Sequence, residues 1–291
     1  MSTFARTTFA GLSVSRVAVA SSYGVGGRDL ERAHERGVDF FFWGLRRRRD
    51  FGQGLRRIAK KDRERVVLAI QSYTRLGFLM SPSVTLALRA LGTDYVDVLS
   101  LGWWNDMPPE RILDAARSLV AKGRVRKVIV SSHERTLLPR LARTPGIDGV
   151  MVRYNAAHPG AEREVFPAVE GTGTGVLSFT ATRWGSLLDK ALIPEGERVP
   201  RASDCYRFVL SSPHVHATLV GPKNGLELDE ATSSLERGPL DDEEMAWMRR
   251  VGKVVRDDTR AHRAMGLIDR ARASLFPSKA PASIAARSAG G

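Results

Sequence analysis

Polar and aromatic side chains follow several short apolar runs of the sequence, at the point where each run ends. They are Trp43, Gln71, Ser72, Tyr73, Trp103, Asn105, Ser131, Ser132, His133, Arg153, Asn155, Thr180, Thr182, Arg183 and Trp184. Indole faces stack on planar ligands, neutral hydroxyls and amides orient a ligand, and guanidinium groups bind carboxylates or phosphates through paired hydrogen bonds. If the chain brings these residues together, they form a site for a planar or anionic small molecule.

The apolar runs predict strands, and amphipathic segments of helical length lie between them. The predicted strands are 14–21, 38–43, 65–72, 95–102, 125–132, 149–155, 175–181 and 216–221. Eight such units favour a single (β/α)₈ barrel, with an N-terminal strand or hairpin and extra C-terminal helices. The carboxyl ends of all the strands then meet at one end of the barrel, where sites form in this fold.

An open doubly wound sheet is the rival architecture, and its dinucleotide fingerprint is missing. The segment SSYGVGGRD after the first strand lacks the G-x-G-x-x-G spacing. GTGTG at 171–175 precedes a strand and is not followed by a phosphate-loop lysine. The barrel is therefore expected over residues 1–270, and the small, poorly apolar segment 271–291 is expected to be a disordered tail.

Charge and composition narrow the classes of function. The net charge is +13, and ten of the twenty residues from Arg46 to Arg65 are basic. Arg46 to Arg49 are expected at the mouth of the pocket, where they steer anions inward. No helix-turn-helix, zinc-finger or RNP pattern accompanies this charge, so nucleic-acid binding is not favoured. The absence of a long apolar run indicates no membrane span, and the single Cys205 suits a reducing compartment, so a cytoplasmic location is expected.

Metal binding is not expected either. His214 and His216 lie two residues apart before the eighth predicted strand, at the amino end of the barrel. No third ligand is suggested nearby, so a solvated pair is the favoured interpretation.

From about Gly11 to Gly252 the sequence resembles the aldo-keto reductases. LRALGTDYVDVLSLGWWND is similar to that family's fourth-strand motif, LxxLGxDYxDLxxxHWP, and KGRVRKVIVSSH is similar to GKxRxxGxSxH. The other stretches that carry the resemblance are GVDFFFWG (37–44), VRYNAAH (152–158) and VHATLVGPKN (215–224). They occur in the family's order and spacing. The resemblance therefore implies the same barrel.

Members of this family reduce carbonyls with NADPH, and four side chains assist. A tyrosine protonates the developing oxyanion, a lysine paired with an aspartate lowers the pKa of that tyrosine, and a histidine polarises the carbonyl. The aspartate, tyrosine, lysine and histidine positions fall here on Phe42, Arg47, Gln71 (or its neighbour Ser72) and Gly102. All four residue types are lost. Since a missing general acid alone costs about 10²–10⁴ in rate, the family's standard reaction is not expected.

Other residues are candidates to replace these groups. Tyr73 and His133 are the candidate proton donors, although a tyrosine at such a position more often bonds a loop and the segment at His133 can equally cap a helix. The family's nicotinamide and phosphate contacts map onto Ser131, Ser132, Arg153, Phe179, Thr180, Arg183, Gly221, Lys223 and Asn224. The expected substrate pocket comprises Trp43, Gln71, Ser72, Trp103, Asn105, Asn155 and Trp184. Trp43 and Trp103 can instead fill the space that the missing lysine and histidine leave.

The resemblance keeps NADP(H) as a possible cofactor, but the cofactor question stays open. Gly221, Lys223 and Asn224 fall at the turn that grips the adenosine 2′-phosphate in the family. Glu227 and Asp229 occupy the vicinity of the family's later arginine, which argues against tight binding of NADPH.

Three functions follow from these observations. The first is an oxidoreductase of altered chemistry with a small-molecule site. The second is a non-catalytic protein that binds a nucleotide or an anionic ligand in the old pocket. The third, which the polar and aromatic pocket does not favour, is binding of nucleic acid or an acidic partner through the basic face.

Overall fold

Eight parallel strands form a closed barrel in a computed structural model that describes residues 3–44 and 48–275, with side chains described to Asp258. Around the barrel the order is β10-β3-β4-β5-β6-β7-β8-β9. The strands are β3 Val17–Ala20, β4 Phe40–Trp43, β5 Val67–Ser72, β6 Val96–Leu101, β7 Val125–Ser131, β8 Gly149–Arg153, β9 Gly175–Phe179 and β10 Ala217–Val220. The predicted (β/α)₈ barrel is confirmed.

Helices follow the strands and cover the outside of the barrel. They are α1 Gly27–Glu35, α2 Arg49–Asp62, α3 Gly77–Leu91, α4 Glu110–Ala121, α5 Leu138–Ala142, α6 Ala161–Glu164, α7 Phe166–Val169, α8 Ala202–Leu210, α9 Gly225–Arg237 and α10 Asp242–Leu275. Short 3₁₀ turns lie at Thr3–Ala5, Arg63–Arg65, Arg135–Leu137, Ser186–Leu188 and Lys190–Leu192. The predicted boundary at residue 270 lies within α10, and residues 276–291 of the predicted tail lie outside the described residues.

An antiparallel hairpin, β1 Arg6–Phe9 and β2 Leu12–Ser15, closes the amino end of the barrel. Its Phe9 is fully buried inside the barrel, with its ring centroid 5.6 Å from that of Phe40. The single strand predicted over 14–21 is therefore two strands. Arg16 separates them because its guanidinium donates to the carbonyls of Leu210 and Val215 outside the barrel. With the amino end plugged, a ligand must enter at the carboxyl end.

Strand alternation divides the core into two clusters, because successive side chains of a strand point to opposite faces. On β4, Phe40 and Phe42 pack inside the barrel, and Phe41 and Trp43 pack outward against the helices. The four-residue run FFFW is fully apolar, so its sequence does not show which residues face inward.

A buried ionic network ties the C-terminal helices together. Asp204 on α8 is fully buried, and its carboxylate lies 3.0 Å from Arg237 on α9 and 3.1 Å from Arg198. Arg207 joins α8 to α10 through Glu244 at 2.6 Å. These contacts hold α8 and α9 beside β10, where both helices border the carboxyl end of the barrel. Among the helices that the structure describes, none is long and apolar enough to cross a membrane.

Candidate functional site

A cavity of about 670 Å³ opens at the carboxyl end of the barrel, within the size range of small-molecule sites. Of the residues singled out in the sequence, it is lined by Phe42, Gln71, Tyr73, Trp103, Ser131, His133, Phe179, Thr180, Thr182, Trp184, Gly221 and Lys223. These residues come from strand ends that are far apart in the chain. The barrel therefore brings most of the expected set together.

A second cavity, of about 690 Å³, lies at the amino end beside the hairpin. Its charged side chains largely pair with one another: Arg6 lies 2.6 Å from Asp39, and His34 lies 3.3 Å from Asp62. Charges matched in this way stabilise the closed end of the barrel, and sites in this fold form at the other end.

Gly102 leaves a space that the ring of Tyr73 occupies. A Cβ atom at position 102 would lie 2.7 Å from Cδ1 of Tyr73 and 2.9 Å from Nε2 of Gln71. The Tyr73 hydroxyl donates a 2.9 Å hydrogen bond to Oε1 of Gln71. Where the family resemblance places a lysine and a histidine, this chain has an amide and a glycine covered by a phenol from the neighbouring strand end.

Arg75 holds the loop that carries Trp103. Its guanidinium donates to the carbonyl of Gly102 at 3.0 Å and to that of Trp103 at 2.6 Å, and it stacks 3.9 Å above the ring of Trp104. This clamp keeps Trp103 at the mouth of the cavity, where the side chain is 55% exposed.

Four aromatic side chains form a continuous wall on one side of the cavity. Tyr73 meets Trp103, Trp103 meets His133, and His133 meets Phe179, each at 5.7 Å between ring centroids. The tilted and edge-on geometries are the favoured ones for aromatic pairs. We call Tyr73, Trp103, His133 and Phe179 the aromatic wall. Such a wall suits a flat ring.

The titratable members of the wall stay neutral near pH 7. Burial raises the pKa of Tyr73, so the phenol remains protonated. Burial, and then the positive charge of Arg153, lowers the pKa of His133, so the imidazole remains uncharged. The wall therefore offers hydrogen bonds and ring contacts, and it carries no charge of its own.

Backbone strain is concentrated around the mouth. Trp103, Thr180, Arg183 and Trp184 have left-handed φ values of 46°, 59°, 53° and 53°. Each such conformation costs on the order of 1 kcal/mol for a residue other than glycine, and such residues tend to cluster at functional sites. The strain turns Trp184 outward, so that it lines the cavity with 61% of its surface exposed.

The far end of the cavity, on the side of β3 and β10, has a different chemistry. Tyr23, Tyr206, Lys223, Glu227 and Glu230 line it. Glu227 accepts the backbone N–H of Lys223 at 2.8 Å, and its carboxylate lies 3.9 Å from Nζ of that lysine. Glu230 accepts from the Ser203 hydroxyl at 2.7 Å. This end of the cavity thus carries two carboxylates, two phenols and one exposed lysine, which lies near Glu227.

Two residues expected in the pocket lie on the outer face of the barrel. Trp43 packs beneath α2, so close that a Cβ on Gly52 would lie 2.8 Å from its ring. Ser72 is buried one position after the inward-facing Gln71, and strand alternation turns it away from the cavity. The sequence correctly places both residues at strand ends. Whether each side chain points into the barrel or outward depends on its place in the alternation along the strand.

Three further expected residues stabilise loops at the mouth and do not line the cavity. The amide of Asn105 accepts the N–H of His133 at 3.4 Å, and the hydroxyl of Ser132 accepts the N–H of Glu134 at 3.0 Å. Asn224 caps α9 by accepting the N–H of Glu227 at 3.0 Å. Ser132 thus stabilises the turn before the 3₁₀ segment Arg135–Leu137, which has no side-chain cap.

The remaining three expected residues, Asn155, Arg153 and Arg183, also lie outside the cavity lining. Asn155 is fully buried and donates to the carbonyl of Thr180 at 2.8 Å. Arg183 is buried and donates to the carbonyl of Val255 on α10 at 2.6 Å. The charge of Arg153 at the end of β8 lowers the pKa of the nearby histidines His133 and His158. Arg46 and Arg47, expected at the mouth, lie outside the described residues.

Several residues that line the cavity were not predicted from the sequence to belong to the pocket. They include Ser21, Ser22, Tyr23, Met151, Leu188, Ala202, Tyr206, Leu226, Glu227 and Glu230. Tyr23 follows the first barrel strand, so its position as an aromatic residue just after a strand also predicts it. Tyr206 lies on α8, and no local signal connects that helix with the carboxyl end of the barrel.

Among the described side chains, no group of three histidine, cysteine or carboxylate residues has the arrangement of a metal site. His214 and His216, which were expected to be a solvated pair, are both half-buried. His214 stacks on Phe166 with 5.3 Å between ring centroids, and Nδ1 of His216 accepts the N–H of Val176 at 3.0 Å.

Comparisons with known proteins agree with this architecture. The sequence model of the Aldo/keto reductase family matches residues 56–198. Aldo-keto reductase AKR11C1 from Bacillus halodurans, in its holo form, has a similar structure, with a TM-score of 0.74 at 18% identity, over 86% of this chain and 96% of that one. Two structures of an aldo/keto reductase from Klebsiella pneumoniae each give a TM-score of 0.73 at 20% identity. One is in complex with NADP and acetate and is matched over 86% of this chain and 95% of that one. The other is in complex with NADPH and is matched over 85% and 95%.

Proposed function

Because the chain belongs to the aldo/keto reductase family, we propose that its cavity binds a nicotinamide nucleotide, NADP(H) or NAD(H), together with a small carbonyl substrate. In this proposal Tyr73 donates the proton in place of the missing family tyrosine. The observation that carries the proposal is the position of Tyr73. Its ring takes the space over Gly102, and its hydroxyl lines the cavity beside Gln71.

The described residues fit a nicotinamide nucleotide at the ring end of the cavity. A flat ring finds the face of Phe179 and the edges of the aromatic wall, and Ser131 supplies a hydroxyl at the end of β7. A cavity of about 670 Å³ is large enough for a ligand of several linked groups. The residues fit less well at the far end, where Glu227 and Glu230 face the position of any phosphate.

The nucleotide, when bound, supplies a hydride to the carbonyl carbon. Tyr73 then gives its hydroxyl proton to the carbonyl oxygen and recovers a proton from water. The amide of Gln71 orients the phenol through its 2.9 Å bond and has no charge with which to lower the pKa of that phenol. Lys223, the lysine that lines the cavity, lies on the β10 side, across the barrel from β6. The acid is therefore weak, and reduction is expected to be slow for all but strongly electrophilic carbonyls.

A second candidate function is binding without turnover. The raised pKa of Tyr73 and the lowered pKa of His133 favour it, since both groups then act as neutral hydrogen-bonding partners of a ligand. Binding of nucleic acid through the basic segment has less support, because Arg57 pairs with Glu31 at 2.6 Å and Arg63 pairs with Asp97 at 2.9 Å.

Titration of intrinsic tryptophan fluorescence tests the binding step, because Trp103 and Trp184 lie exposed at the mouth. NADH, NADPH, NAD⁺ and NADP⁺ are the probes, and quenching that saturates with at least one of them is expected. Failure of all four to bind, by fluorescence and by thermal shift, overturns the proposal.

Oxidation of the reduced nucleotide in the presence of electrophilic aldehydes and diketones tests the chemistry. Tyr73→Phe keeps the ring over Gly102 and removes the hydroxyl, so turnover should fall about a hundredfold with little change in nucleotide affinity. Tyr95→Phe is the matched control, because that phenol bonds Glu64 at the amino end of the barrel. Nucleotide binding without turnover in the wild-type protein supports the second candidate. Equal turnover in wild type and Tyr73→Phe removes Tyr73 from the reaction.

A further inference from the structure

The far end of the cavity combines phenol and carboxylate groups that have no role in the proposed reaction: the buried Tyr206, the half-buried Glu230 and the exposed Tyr23 and Glu227. Tyr206 lines the cavity with 8% of its surface exposed. Tyr23, Glu227 and Glu230 lie close enough to Tyr206 to raise the pKa of its phenol, after the larger effects of burial and of Cys205.

The amino end of α9 borders this region, and two backbone N–H groups there are bonded to side chains of the chain itself. An α-helix N-terminus binds phosphate through free backbone N–H groups. Here Glu227 accepts the N–H of Lys223 at 2.8 Å, and Asn224 accepts the N–H of Glu227 at 3.0 Å. The chain's own carboxylate thus occupies the place where an anion would bind, and it also partly neutralises Lys223 from 3.9 Å.

From this arrangement we infer that the far end of the cavity binds the free hydroxyls of an unphosphorylated ribose and disfavours a phosphate monoester, so that the preferred ligand is of the NAD(H) class. The inference rests on the proposed function, because it assumes a nicotinamide nucleotide in the cavity. A carboxylate accepts hydrogen bonds from ribose hydroxyls, as acidic residues do in other dinucleotide sites. Tyr206 can donate to or accept from the same hydroxyls.

The charge balance supports the same choice. A phosphate monoester carries about −1.5 to −2 charges at neutral pH. Glu227 and Glu230 contribute two negative charges to this end and Lys223 contributes one positive charge. A ribose hydroxyl is neutral and meets no repulsion. At distances of a few ångströms near the surface, the repulsion is large enough for a preference of about tenfold or more.

Binding measurements on the full chain test the inference without any need for turnover. The matched probes are NAD⁺ and NADP⁺, and adenosine 5′-monophosphate and adenosine 2′,5′-bisphosphate, because each pair differs by one phosphate. Isothermal titration should show the unphosphorylated member of each pair binding about tenfold more tightly. Equal affinities, or tighter binding of the phosphorylated member, overturn the inference and leave the proposed function standing. No binding of any nucleotide overturns both.

The variant Glu227→Gln tests whether the charge of Glu227 causes the preference for NAD⁺ over NADP⁺. The amide can still accept the N–H of Lys223, so the turn is retained while the charge is lost, and the NAD⁺ preference should shrink by about threefold to tenfold. Glu236→Gln, at an exposed position of the same helix, is the control and should leave the ratio unchanged. A Glu227→Gln ratio equal to that of the wild type contradicts the role of Glu227.

The salt dependence of the wild-type protein provides a test that needs no variant. The preference should weaken between about 0.05 M and 0.5 M salt, because the repulsion involves a partly exposed carboxylate. A preference that is constant over this range contradicts an electrostatic origin.

Discussion

Replacing Gly102 by alanine adds one methyl group where the structure has no room for it. The new Cβ would lie 2.7 Å from Cδ1 and 2.8 Å from Cε1 of Tyr73, and 2.9 Å from Nε2 of Gln71. The strands at this point are fixed by the barrel, so the side chain of Tyr73 is the group that can move. We expect Gly102→Ala to push the phenol outward and to open the aromatic wall at its first member.

The cost follows from the contacts that Tyr73 loses. Its edge-on contact with Trp103 is worth about 0.5–1.5 kcal/mol, and its hydrogen bond to Gln71 is worth about the same. Tyr73 is 44% exposed, so the lower half of each range applies. Alanine returns about 0.5 kcal/mol by restricting the unfolded chain. The net loss of unfolding free energy is about 0.5–1.5 kcal/mol, and the melting temperature should fall by about 1–3 °C.

The assay is a double-mutant cycle with Tyr73→Ala, followed by thermal or denaturant unfolding and by the emission of Trp103. In the Tyr73→Ala background the added methyl still meets Nε2 of Gln71, which is the end of a flexible side chain that Tyr73 no longer holds, so the cost of Gly102→Ala should fall to about zero. Gly44→Ala is the control at the same mouth, because its Cβ would make ordinary contacts of 3.4 Å. If Gly102→Ala costs as much without the Tyr73 ring as with it, Tyr73 is not what fills the glycine's space.

Three other perturbations have expected outcomes. Arg75→Met removes the two bonds to the carbonyls of Gly102 and Trp103, so the Trp103 emission should shift to the red and the unfolding free energy should fall by about 1 kcal/mol; an unchanged spectrum contradicts the clamp. Burial, with nearby arginines, lowers the pKa of His158 from 6.5 to about 4, so the unfolded chain binds a proton first and stability should decline as the pH falls from about 6.5 to 4. His158→Gln should flatten that decline in denaturant titrations at pH 7 and pH 5, and an unaltered slope refutes the assignment. Asp204→Asn should cost about 1.5–3 kcal/mol by calorimetry, because the fully buried carboxylate loses its charged hydrogen bonds to Arg198 and Arg237; a loss below about 1 kcal/mol shows that the network is not stabilising.

The sequence contained most of the information for the fold. Continuous apolar runs of strand length alternate with amphipathic segments, and the predicted ends agree with the structure within about two residues, as for 95–102 against Val96–Leu101. The exception is the first run, where Arg16 divides one predicted strand into β2 and β3. Its guanidinium bonds carbonyls near residues 210 and 215, which are distant in the chain, so no local pattern reveals the break.

For the site, the sequence by itself determined the residue types at the strand ends, and its resemblance to the family predicts the loss of the four catalytic side chains. Only the tertiary structure decided which side chains face the cavity. In an all-apolar strand such as FFFW, both faces are buried, so residue type does not distinguish inside from outside, and Trp43 points away from the pocket. The packing of Tyr73 over Gly102 and the arrival of Tyr206 from α8 depend on barrel closure, which joins residues far apart in the chain.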